Sequence, residues 1–102
     1  MNRNDLITIA FQIRKEPKAH DISAYLYDTA NLIKHDTSTA TLYAAHQLVH
    51  AIRETNPTPS EFCKERMQII ETAYTQRMTD KLETLAKCYE SLDYEKIMQS
   101  VN

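Results

Sequence analysis

His46 and His50 stand four residues apart. On a helix that spacing places both imidazoles on one side, one turn apart, which is how a helix offers two ligands to zinc or another transition metal. A structural zinc site needs two more ligands. The candidates are His20, His35, Cys63, Cys88 and scattered carboxylates, and none has a partner at ligand spacing: the chain contains neither C-x-x-C nor H-E-x-x-H. The pair therefore reads first as structural or surface histidine. No metal ligand is assigned, and a small metal-binding protein using His46 and His50 stands as an alternative. His20-Asp21 and His35-Asp36 are adjacent pairs at expected helix ends, where capping is the simpler role for the aspartates. With no nucleophile beside them they carry no catalytic assignment.

The arginines offer no anion clamp. Arg66 and Arg77 lie eleven residues apart and would share a helix face, but Glu65 and Glu71 beside them mark a solvated surface. The reading is of a non-enzymatic chain with no cofactor. Nucleic-acid binding is also disfavoured. Residues 1–18 carry four basic and two acidic side chains, residues 19–56 two and four, and residues 57–102 six and eight. No basic stripe able to neutralise a phosphate track results. The segment after Asp36, which could be imagined as the reading helix of a helix-turn-helix, lacks Arg and Lys until Arg53. A reader helix ordinarily uses such side chains on base edges. A nucleic-acid-associated regulator is kept only as an alternative function.

Six tyrosines and no tryptophan remain. Tyrosine joins an apolar body to a polar tip and is enriched at protein interfaces. Tyr27 and Tyr43 fall off the main apolar stripes. Between Thr37 and Ile52 no Asp, Glu, Lys or Arg occurs, in a protein that is 25% charged. Leu42, Ala45, Leu48, Val49 and Ile52 make one face of this segment. Ala40, Ala44 and Ala51 make a second face of small side chains that another helix could approach closely. Tyr43, Gln47 and His50 suit water, with His46 at the edge. Such a helix is buried on most sides, as the domain's central helix or under a partner. Further on, Met78, Leu82, Leu85, Tyr89 and Leu92 follow a 4-3 spacing that could pair with a second copy. The candidate protein interface is thus Tyr27, Tyr43, Gln47, His50, Leu82, Leu85 and Tyr89.

The elements that must position these residues follow from one absence. The chain of 102 residues has no glycine, where average usage of about 7% would supply roughly seven. That removes the P-loop, the dinucleotide turn, the nucleophile elbow and most tight hairpins. Helices are expected over about 5–15 (Asn4 as cap, ended by Pro17), 22–34 (Asp21 as cap) and 39–54. A fourth is expected over 59–78, with Thr58 as cap, Pro59 at the first helical position and Glu61 closing a capping box. Asp80-Lys81-Leu82-Glu83 resembles a new start, so a break near Thr79 is expected, followed by helices at 80–90 and 93–100. Leu82-x-x-Leu85-Ala86-x-x-Tyr89 resembles one half of a tetratricopeptide repeat, but no second copy follows at that repeat's period of about 34 residues, and no family is assigned. Cys63 and Cys88, were their region one straight helix, would lie roughly 37 Å apart, beyond the reach of a disulfide.

Length allows one domain. No apolar run is long enough for a membrane span, and Met1 to Lys18 lacks the form of a secretory signal. The expectation is an all-α, single-domain bundle of four to six helices with a long or kinked C-terminal segment. It is expected to be cytoplasmic and to bind another protein through a helix face as an adaptor, inhibitor or regulator, with a homodimer as a further candidate assembly.

Overall fold

The computed structural model describes the backbone of residues 1–91 and their side chains except those of residues 19 and 89–91. The described residues are all-helical: α1 spans Arg3–Lys15, α2 Ile22–His35, α3 Thr39–Thr55 and α4 Glu61–Ser91, with a 3-10 turn at Pro17–Ala19. The helix expected over 93–100 lies outside the described residues. No described helix is long and apolar enough to cross a membrane.

Side chains set each helix start. Asn2, rather than Asn4, caps α1: its Oδ1 accepts from the Asp5 amide at 3.0 Å while Asp5 Oδ2 accepts from the Asn2 amide at 2.8 Å. That reciprocal box wins because Asn2 and Asp5 have the N-cap to N3 spacing. Pro17 ends the helix at Lys15, as its effect on the preceding residue requires. Asp21 caps α2 by accepting from the Ala24 amide at 3.3 Å. Ser38 caps α3 through the Thr41 amide at 3.3 Å. For α4 the expected Thr58 cap is corrected to Ser60, whose hydroxyl accepts from the Cys63 amide at 3.3 Å and whose carbonyl accepts from Lys64 at 2.9 Å. Serine is the stronger cap, and Pro59 sits just outside the helix instead of at its first position.

The expected break near Thr79 does not occur. Asp80, read as a cap, instead accepts from Gln76 Nε2 one turn back at 3.0 Å, and its carbonyl accepts from the Thr84 hydroxyl at 2.9 Å. With no glycine or proline between Glu61 and Ser91, nothing forces the backbone out of the helical region. The segments expected as 59–78 and 80–90 are one helix of 31 residues. Cys63 and Cys88 therefore sit far apart along it and do not join each other.

α3 is the central helix. Leu42, Ala44, Ala45, Leu48, Val49, Ala51 and Ile52 are all buried, and α3 packs against each of the other three helices. Leu6 and Ile13 of α1, Leu26 and Ile33 of α2, and Met67 and Ile70 of α4 complete the core. α1 and α3 run in the same direction: Arg3 lines the same groove as Ala40 at the start of α3, and Arg14 Nε donates to Glu54 Oε2 at 3.0 Å near its end. α4 runs the opposite way: Arg77 donates to the Thr37 carbonyl, and His46 meets Glu71. On the small-residue face of α3, Ala44 and Ala51 are buried while Ala40 is exposed.

α4 outruns the body it packs on. Met67 and Ile70 are buried and Tyr74 and Met78 half-buried, but every residue from Thr79 to Cys88 is exposed. The apolar stripe thus passes from core into solvent along a projecting arm.

Candidate functional site

α1, α2 and α4 enclose α3 except along one strip. Tyr43, Gln47, His50 and Glu54 recur at steps of four, three and four residues, so they share one side of the helix. Three of the residues singled out from sequence, Tyr43, Gln47 and His50, lie together on this strip, between α1 and α4.

On the α1 side the strip opens into a groove of about 510 Å³ lined by Ile7, Ala10 and Phe11 of α1 and by Ala40, Tyr43, Ala44 and Gln47 of α3, with Arg3 and Arg14. Its rim is apolar and open to solvent: Phe11 is 67% exposed, Ile7 56% and Tyr43 53%. The floor is alanine. Arg14 is paired with Glu54, and that pairing holds the Glu54 carboxyl below the usual range.

On the α4 side the polar edge is fixed by stacking and hydrogen bonding. His46 Nδ1 lies 2.8 Å from Glu71 Oε1, with the two side chains 17% and 16% exposed. The His46 ring stacks on Tyr74 at 4.0 Å with planes 7° apart, and His50 meets it edge-on at 4.8 Å. Tyr43 contacts Tyr74 at 6.4 Å, so the apolar groove and the histidine edge are continuous through Tyr43. His46 is thus a packed side chain held by a carboxylate, and His50 is an exposed ring set against it. Among the described residues no group of three or more His, Cys, Asp or Glu is arranged to hold a metal ion.

The other candidates are scattered. Tyr27 is exposed on α2, which does not border the strip, and Leu82 and Leu85 are exposed on the arm, at 67% and 54%. The Tyr89 side chain lies outside the described residues. Arg66 covers the Phe62 ring at 3.8 Å and Arg77 is tied to Thr37, so they do not converge on one pocket. Asp21 and Asp36 are engaged in capping at the starts of α2 and α3.

Sequence reasoning missed Ile7 and Phe11 as interface residues because they broaden an apolar stripe that also contains Leu6, Ala10 and Ile13. Their i, i+4 spacing beside a complete core stripe was the available signal. Nothing in the spacing joins Glu71 to His46, twenty-five positions apart.

No family model, curated protein or solved structure matches this chain.

Proposed function

We propose that this chain acts without catalysis, by binding another protein that lays an apolar helix face into the α1–α3 groove. The exposure of Phe11, Ile7 and Tyr43 around an alanine floor carries the reading. Large apolar side chains gathered at one concave surface mark interaction sites more often than single exposed ones do. A helix in such a groove inserts anchors at successive turns, while aromatic and arginine side chains dominate interface energetics. Phe11 and Tyr43 would be the anchors, with Arg3, Arg14, Gln47 and His50 as the polar rim. This occupancy would make the protein an adaptor, inhibitor or regulator, according to what the bound helix does when free.

Photo-crosslinking tests this directly. A benzoylphenylalanine placed at Phe11 or Tyr43 should attach to one defined protein, foreign or a second copy, in cells of the source, while the same group at Tyr27 should not. Equal labelling from all three positions, or no protein adduct from the groove positions, would refute the reading.

A further inference from the structure

We infer that a second copy of this chain fills the groove, with the α4 arm of each copy lying in the α1–α3 groove of the other. The inference rests on the proposed role of that groove as a protein-binding surface and names an occupant for it. Two relationships support it.

The first is complementarity within one chain. The groove rim presents Ile7, Phe11 and Tyr43, and the arm presents Leu82 and Leu85, all at least half exposed, with half-buried Met78 at the arm's base. Met78, Leu82 and Leu85 share one side of α4 by their four- and three-residue steps. The arm therefore has the anchors that a helix-binding groove accepts.

The second is placement and length. Arg77 meets Thr37 immediately before α3, so the arm leaves the body at the end where Arg3 and Ala40 line the groove. A copy turned end-to-end about a two-fold axis would present its groove to the departing arm and receive the other arm in return. From Met78 to Cys88 the arm spans roughly 15 Å, and from Arg3 to Arg14 α1 spans about 16 Å. One arm in one groove is a small contact. Reciprocal exchange doubles it, towards the roughly 1,200–2,000 Å² of a specific interface.

Light scattering on the purified chain is the test, with photo-crosslinking to locate the contact. The wild type should have twice the 11.9 kDa chain mass. Phe11→Asp and the double variant Leu82→Asp/Leu85→Asp should each halve that mass while keeping wild-type helicity, because all three side chains are exposed. A benzoylphenylalanine at Phe11 should attach to residues 78–88 of an isotope-labelled second copy. A wild type that stays monomeric overturns the exchange. So does a Phe11→Asp dimer abolished by the arm variant, which would mean arms pairing with one another. A monomer whose Phe11 still crosslinks a foreign protein in cells sinks this inference and leaves the proposed function standing.

Discussion

Glu71 Oε1 lies 2.8 Å from His46 Nδ1 and so ties the middle of α4 to the central helix at the edge of the open strip. Both side chains are mostly shielded from water, where a hydrogen bond is less diluted by solvent than at the surface. Glu71→Ala should lower stability by about 1–2 kcal/mol. His46→Phe should lose the hydrogen bond but keep an aromatic ring against Tyr74. A double-mutant cycle in urea, read by helicity, should give a coupling of about 1 kcal/mol. Strict additivity would show that the pair contributes nothing beyond its separate contacts.

Continuity of α4 past Thr79 has its own test. If Asp80 capped a new helix, Asp80→Ala would cost about 1 kcal/mol. Within a continuous helix it should change stability by less than about 0.5 kcal/mol, with no loss of signal at 222 nm. Ser60→Ala, at the actual cap, should cost about 1 kcal/mol. The reverse ranking would restore the break.

The helical class and the connectors were legible because they depend on local chemistry, while the burial of α3 on most sides was legible without saying whether its own chain or a partner covers it. Missing glycine, Pro17, and the charge-free run from Thr37 to Ile52 each act on their own segment. Helix starts were legible only to within two residues, since Asn2 and Asn4, or Thr58 and Ser60, compete for one cap and geometry decides between them. The α4 break was misread because a capping-box pattern also occurs inside helices, where Asp80 bonds back to Gln76. The open strip was legible in part. Tyr43, Gln47 and His50 follow from periodicity, whereas Ile7 and Phe11 join Tyr43 and Gln47 only because α1 packs alongside α3. That pairing is a property of the packed chain.

Stability should fall in acid through the caps. The Asp36 carboxyl is held below its ordinary value mainly by the hydrogen bond from the Thr41 hydroxyl, at 2.6 Å, and then by Ser38. Asp21 is lowered by Ser23 and the Ala24 amide, and Glu54 by Arg14. Each folded pKa is depressed, so the stabilisation is fully present above the unfolded value of about 4 and is lost as pH falls through the lower folded values. Urea midpoints should be flat from pH 7 to about 5 as far as these groups determine them, and fall below that. Asp36→Asn should weaken the acid-side fall. An Asp36→Asn profile that merely parallels the wild type would remove Asp36 from the account.

Phe11 and Leu48 should respond oppositely to substitution, and the contrast bears on what the groove is for. Leu48 is fully buried on α3, so Leu48→Ala removes core packing and leaves a cavity, at a cost of about 2–5 kcal/mol. Phe11 is two-thirds exposed, and Phe11→Ser should stay within about 0.5 kcal/mol of wild type. Ile7→Ser should behave in the same way. Thermal melts of the purified variants at a concentration too low for self-association separate folding from assembly, since association would otherwise raise the apparent stability of the wild type alone. If Phe11→Ser cost as much as a core truncation, Phe11 would be packing its own chain and the groove would lose its principal anchor. If it cost nothing while abolishing capture at the groove, the side chain would act through what it binds.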